Sequence, residues 1–233
     1  MLSITGLDVF YGRAQALFQV GFRVPGGQIA ALLGRNGAGK STTLKSIMGL
    51  VPPAAGRIVL NGREVGGFRP HALCAQGLGY VPEDRRIFGG LTLLENLAVG
   101  QRPPRRHAPE WTVDKVFALF PHLAELRNRR GDQISGGEQQ MLTVARALMG
   151  NPLMLLLDEP STGLAPRITE HLARAVLDLK AAGLAVLLSE QNLRFAAAIA
   201  DQAVVMETGH VRWCGPMAAF LSDPAAAPSY LHV

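Results

Sequence analysis

The sequence predicts an α/β fold: a largely parallel sheet covered by helices, with a β-rich start and an inserted helical segment. Three observations predict it. An apolar run, Ile29 to Leu33, passes directly into a glycine-rich loop and then into a helical pattern. From about Arg86 to Met149 the apolar residues recur at helical spacing. After Asn151-Pro152, strand-like and helix-like segments alternate, which calls for parallel strands with helical crossovers. The chain of 233 residues, 48% hydrophobic and 18% charged, is long enough to bury a sizeable core and has the composition of a globular protein.

Taken in order, the first 60 residues alternate short β-type runs with turn signals: Leu7 to Phe10, Gly26-Gly27, Ile29 to Leu33, then Ile58 to Leu60 before Asn61-Gly62, a hairpin signal. In the helical part, Thr92 and Glu95 have the spacing of a capping box. Trp111, Val113, Val116, Phe117 and Phe120 predict a helix that stops at Pro121. Gln101 to Pro109, rich in Pro and Arg, reads as a loop. The last third predicts a strand over Leu153 to Leu157, a helix over Ile168 to Ala181, a strand over Leu184 to Ser189, a helix over Leu193 to Asp201 and a strand over Ala203 to Glu207. No internal repeat is evident.

Composition also excludes functions. No apolar run approaches the ~20 residues of a membrane-spanning helix, and the first residues lack the basic start and apolar core of a signal peptide. A cytosolic chain is expected. Cys74 and Cys214 are far apart and outside any CxxC, so they read as unpaired reduced thiols. The net charge is +5, with arginines at 102, 105 and 106 and again at 127, 129 and 130. No aromatic platform accompanies them, so a solvated face is expected and no nucleic-acid partner. The six histidines, 71, 107, 122, 171, 210 and 232, are scattered without ligand spacing and read as structural or surface residues.

Three clusters carry chemistry. Gly34-Arg35-Asn36-Gly37-Ala38-Gly39-Lys40-Ser41 satisfies G-x4-G-K-[ST] between a strand and a helix. The glycines let consecutive N–H groups turn toward phosphate oxygens, Lys40 supplies charge for the β- and γ-phosphates, and Ser41 offers a hydroxyl to Mg²⁺. Leu44, Ile47 and Met48 give the following helix an apolar face, and Gly49 ends it. At the end of the run Leu153 to Leu157 stand Asp158 and Glu159, where open α/β sheets bind ligands. Asp158 would orient the metal and Glu159 would polarise the water that attacks the γ-phosphate. Finally, Ser135 and Glu138 form an S-x-x-E box at a helix start. The intervening Gly136 and Gly137 exceed what capping needs and permit close approach of an anion. This second phosphate surface has no lysine of its own, which makes most sense if it serves a nucleotide held by another subunit.

The phosphate loop, ISGGEQQ and LLLLDEP, in that order, resemble the ABC transporter ATPases over nearly the whole chain. VPEDRRIFGGLTLLENL, SGGEQQMLTVARALM, DEPSTGLAP and LLSEQN resemble, more narrowly, the LivF-type ATPases of branched-chain amino-acid importers. The resemblance implies a P-loop NTPase core of the RecA-like type with an N-terminal antiparallel β subdomain and an inserted α-helical signature subdomain. Residues 1–233 would form one ABC ATPase domain, with 1–85 and 151–233 as catalytic core and about 86–150 as helical subdomain. It also implies ATP and Mg²⁺ as cofactors, with Gly34 through Thr42 as nucleotide contacts and Tyr11 stacked on adenine. A head-to-tail pair would place Ser135 and Gly137 on the partner's ATP. The expected partners are a second ATPase subunit, identical or, as the subgroup favours, different, together with separate transmembrane permease subunits and, indirectly, a periplasmic substrate-binding protein. The expected place is the cytoplasmic face of the inner membrane.

Three positions depart from the wider family. Glu83 stands where a glutamine is usual, Gln191 where a histidine is usual, and Ala165 near a usual aspartate. Glu83 can ligate Mg²⁺ through a carboxylate oxygen. Gln191 can donate a hydrogen bond to a γ-phosphate but does not titrate near neutrality. Other readings fit less well. A non-transport ABC ATPase normally shows coiled coils, zinc-binding cysteines or paired ATPase domains. A GTPase needs N/T-K-x-D, and a kinase needs neither the insert nor the SGGE helix.

Overall fold

The computed structural model describes residues 1–106 and 109–223. His107 and His232, read from the sequence as surface or structural histidines, lie outside them. The elements run β1 (Leu2–Tyr11), β2 (Ala14–Val24), β3 (Ile29–Leu33), α1 (Lys40–Ile47), β4 (Ala55–Leu60), β5 (Arg63–Glu64), α2 (Pro70–Ala75) and β6 (Leu78–Val81). Then come α3 (Leu93–Gly100), α4 (Val113–Leu119), α5 (Pro121–Glu125), a 3₁₀ turn (Gly131–Gln133) and α6 (Gly136–Leu148). The last third holds β7 (Met154–Asp158), α7 (Pro166–Ala181), β8 (Ala185–Glu190), α8 (Leu193–Ile199), β9 (Gln202–Glu207), β10 (His210–Pro216) and α9 (Met217–Ser222).

Two sheets organise these elements. One has the order β2-β1-β4-β5 and is antiparallel; the other has the order β10-β9-β3-β8-β7-β6 and is parallel except for the β9-β10 hairpin. The Asn61-Gly62 signal is the turn between β4 and β5, with φ of 49° and 79°, the left-handed pair such a two-residue turn needs. The central strands β3, β7 and β8 are buried throughout because both faces are covered, and their only polar residues, Asp158, Ser189 and Glu190, come at the C-terminal ends. Ile29, Ala31, Leu33, Leu155, Leu157, Val186 and Leu188 face a core shared with α6, α7 and α8. The alternating residues Ala30, Leu32, Met154, Leu156 and Leu187 face the second sheet and Leu44, Ile47 and Met48 of α1. The helix after the glycine-rich loop is therefore sandwiched between the sheets, and its start is fixed from both sides.

In the helical part, α3 and α6 open with complete capping boxes, Thr92 with Glu95 and Ser135 with Glu138. One expected helix is corrected at its start. Trp111 precedes α4, which is capped by the Thr112 hydroxyl, and its N–H donates to Asn151 Oδ1 at 2.6 Å. Pro121 stops α4 as expected and also opens α5, since a helix start needs no N–H there. The loop that follows α3 is held down by Arg105, which donates to the carbonyls of Cys74, Ala75 and Asn151. Helix α8 ends at Ile199, two residues short of expectation, because Asp201 turns its carboxylate to Ile29 N and Lys180 Nζ. No helix among the described residues is long and apolar enough to cross a membrane.

Candidate active site

Strand β3 delivers the chain to a loop that only glycine backbones can form. Gly34 runs against β9, where a side-chain carbon would collide with the Met206 carbonyl oxygen. Gly39, at φ 103°, is in the left-handed region, and a Cβ there would stand 2.7 Å from Leu17 Cδ2. The second sheet closes on the same loop: Phe18 N donates to Gly209 O, and Gly209 N donates to Ala38 O. A cavity of about 580 Å³ opens over residues 36–42 and is also lined by Gln15, Phe18, Glu83, Glu159 and His210.

At its floor Lys40, 3% exposed, donates to the carbonyls of Gly34 (2.9 Å) and Arg35 (3.1 Å) and pairs with Glu159 Oε1 at 3.1 Å. Glu159 has a left-handed backbone, φ 47°, a costly conformation for a non-glycine residue, and its N–H is held by the carbonyl and hydroxyl of Ser189. Its other oxygen accepts from Gln191 Nε2 (2.8 Å) and from the Thr162 hydroxyl (3.1 Å). Gln191 Nε2 also reaches Asn36 Oδ1 at 2.7 Å, so the amide bridges the glycine-rich loop and the carboxylate. Lys40, Glu159 and Gln191 follow three separate strand ends, β3, β7 and β8, brought together by their parallel register.

Asp158 is 1% exposed and fully engaged by hydroxyls. Oδ1 accepts from Ser41 (2.8 Å) and Ser189 (2.7 Å), and Oδ2 accepts from Tyr80 (3.1 Å). Burial, and then the facing Asp158 carboxylate, push the Tyr80 hydroxyl well above the ordinary tyrosine range. The donor set Ser41, Asp158 and Glu83 is all oxygen, with Ser41 and Asp158 already in contact and Glu83 on the same cavity. Such a site fits Mg²⁺, which uses one or two carboxylates and fills its remaining positions with phosphate and water oxygens.

Tyr11 ends β1 opposite Ala14, is 50% exposed and does not line this cavity. Thr42 lines it. Ser135, Gly136, Gly137 and Glu138 do not; they sit at the N-terminus of α6, with Gly137 packed toward Ile168 of α7. Burial raises the Glu138 carboxyl, but hydrogen bonds from the Ser135 hydroxyl and N–H and from His122 outweigh it, so the group titrates below the usual carboxylate range. Tyr80, Thr162, Ser189 and Glu190 escaped the sequence reading as site residues. The register of β6, β7 and β8 reveals two of them: Ser189 lies directly opposite Asp158, and Tyr80 opposite Leu156; Thr162 is brought in by the turn after β7, and Glu190 by the pairing of β8 with β3.

The sequence model of the ABC transporter family matches residues 17–162. The chain is 42% identical over 231 residues to the high-affinity branched-chain amino acid transport ATP-binding protein BraG of Pseudomonas aeruginosa, covering 99% of each. It is 36% identical to the probable branched-chain amino acid transport ATP-binding protein LivF of Archaeoglobus fulgidus, covering 92% of each. It is 32% identical to the lipopolysaccharide export system ATP-binding protein LptB of Escherichia coli, over 99% of this chain and 96% of that protein. Its fold superposes on the ADP conformation of MJ1267, an ATP-binding cassette of an ABC transporter, with a TM-score of 0.83 at 28% identity, over 100% of this chain and 99% of that one. A matched family model, full-length relatives and a cavity built on the glycine-rich loop agree: the chain belongs to the ABC transporter family, as an ATP-binding subunit that hydrolyses ATP.

Proposed function

We propose that this chain drives import of branched-chain amino acids, working as one half of an ATPase pair on the cytoplasmic face of the inner membrane. The observation that carries the ATPase mechanism is the meeting of Lys40, Glu159 and Gln191 over the glycine-rich loop. Lys40 neutralises Glu159. Phosphate oxygens entering residues 34–42 would compete for the lysine and free the carboxylate to accept a proton from water. Gln191, already bridging Asn36 and Glu159, is within reach of a γ-phosphate and would orient it by an N–H donor that is constant across pH. Tyr11 would cover the adenine from the hairpin end. Ser41, Asp158 and Glu83 would hold Mg²⁺, which supplies charge neutralisation at the β- and γ-oxygens. The hydroxyls of Ser189 and Tyr80 would keep Asp158 aimed.

The remote placement of Ser135, Gly136, Gly137 and Glu138 supports a role on ATP bound by a second ATPase subunit, through α6's positive end. We read residues 1–85 and 151–233 as the catalytic core and about 86–150 as the helical subdomain that meets separate transmembrane permease subunits, with a periplasmic binding protein delivering substrate to them. Branched-chain amino acids are favoured by the names of the BraG and LivF relatives. The LptB relatives make lipid export the rival reading. Two measurements test these points. Purified Glu159→Gln chain should dimerise on adding Mg-ATP in sedimentation runs; a monomer that binds ATP would point to an obligatory different partner, and no ATP binding would end the reading. Disrupting the chain in its host should abolish high-affinity leucine uptake; unchanged uptake with defective lipopolysaccharide export would transfer it to the rival class.

A further inference from the structure

Glu190 has a part that the reaction chemistry leaves unassigned. Its side chain is 1% exposed at the end of β8, one residue before Gln191. A carboxyl removed from water costs free energy unless hydrogen bonds replace its hydration, and this one is met by two backbone donors from different turns. Oε1 accepts from Ser161 N at 2.9 Å, in the turn after Glu159, and Oε2 accepts from Asn192 N at 3.4 Å, in the turn that carries Gln191. The two turns contribute the two groups that face each other over the cavity, Glu159 Oε2 and Gln191 Nε2, 2.8 Å apart. Thr162, one residue beyond Ser161, also donates to Glu159. Burial raises the Glu190 carboxyl, which the bonds from Ser161 oppose without cancelling and the nearby Glu159 reinforces. An apolar replacement would leave the Ser161 and Asn192 N–H groups without these acceptors.

We propose that Glu190 is a positioning residue that ties the turn after Glu159 to the turn bearing Gln191, so that the two groups move as one unit. The consequence for turnover rests on the roles given above to Glu159 and Gln191; the tie itself does not. The full-length chain and its Glu190→Gln, Glu190→Asp and Glu190→Ala variants would be compared by hydrogen exchange over residues 160–165 and 190–195, by equilibrium binding of a fluorescent ATP analogue, and by ATP turnover. Glu190→Ala should speed exchange in both segments together, leave analogue affinity within about twofold, and lower turnover by about tenfold or more, as expected when an acid–base group loses its alignment. Glu190→Gln keeps the acceptor for Ser161 and should recover most of both readouts. Glu190→Asp, one methylene short of spanning the turns, should behave like Glu190→Ala while retaining the charge, and it serves if the alanine variant does not fold. Exchange that rises in one segment only, or Glu190→Gln as impaired as Glu190→Ala, would overturn the tie. Failure of the wild-type chain to bind the analogue would instead sink the functional reading and leave the exchange result standing.

Discussion

Asp158 illustrates how a single buried carboxylate is fixed in one orientation. Three hydroxyls, from Ser41, Ser189 and Tyr80, hold its two oxygens in one orientation. Hydrogen bonds to a charged acceptor contribute more than neutral ones, so Tyr80→Phe should cost about 1–3 kcal/mol in urea unfolding. The folded-state pKa of Tyr80 is raised, so the stability it contributes is fully present below the ordinary tyrosine value of about 10 and is lost as pH rises through the higher folded value. The gap between wild type and Tyr80→Phe should therefore hold up to about pH 10 and narrow above it; a gap that widens with alkalinity would contradict the hydrogen bond. At this scale the sequence declared the glycine-rich loop, Lys40, Ser41, Asp158 and Glu159 by local pattern alone. It was silent on Tyr80 and Ser189, whose neighbours in sequence say nothing about which strand end they will face.

Among the elements, α6 opens with a complete capping box whose carboxylate a histidine also meets. Its Ser135 hydroxyl accepts from Glu138 N, the Glu138 carboxylate accepts from Ser135 N at 2.6 Å, and His122 Nε2 lies 2.7 Å from the same carboxylate. Ser135→Ala should remove about 1 kcal/mol of stability, read as a lower midpoint in thermal unfolding. Glu138 has a depressed folded-state pKa, so its contribution is present above the ordinary carboxylate value near 4.3 and lost as pH falls through the lower folded value. Wild type should thus lose part of its advantage over Glu138→Gln as pH falls below about 4.3; an advantage that grows on acidification would refute the assignment. The S-x-x-E pattern made this cap legible in advance. The start of α4 was less legible: Trp111 fits the helical spacing, yet its N–H is claimed by Asn151, a residue 40 positions away in sequence.

Across the whole molecule, Asn151 joins the helical part to the strand β7 that leads to Asp158 and Glu159. It is 3% exposed, has φ 49°, accepts from Trp111 N at 2.6 Å and donates to Arg102 O at 2.8 Å. Asn151→Ala would strand the buried Trp111 N–H, remove the part-buried bond to Arg102 O and place a side chain in a conformation that asparagine tolerates better, a loss of about 2–4 kcal/mol. Urea unfolding should register that loss while nucleotide affinity stays within about twofold; an affinity loss matching the stability loss would mean that the junction shapes the cavity directly. What the sequence by itself determined is what local chemistry encodes. Double-sided apolar runs specify buried parallel strands, glycines specify a loop with inward N–H groups, and S-x-x-E and Asn-Gly specify caps and turns. What only the tertiary structure decided is the company these groups keep. Lys40 meets Glu159, Gln191 bridges to Asn36, and three hydroxyls converge on Asp158, because parallel pairing sets β3, β7 and β8 at a common edge. Residues more than 100 positions apart meet there through the register of hydrogen-bonded strands, and that register is a property of the whole sheet which no window of sequence contains.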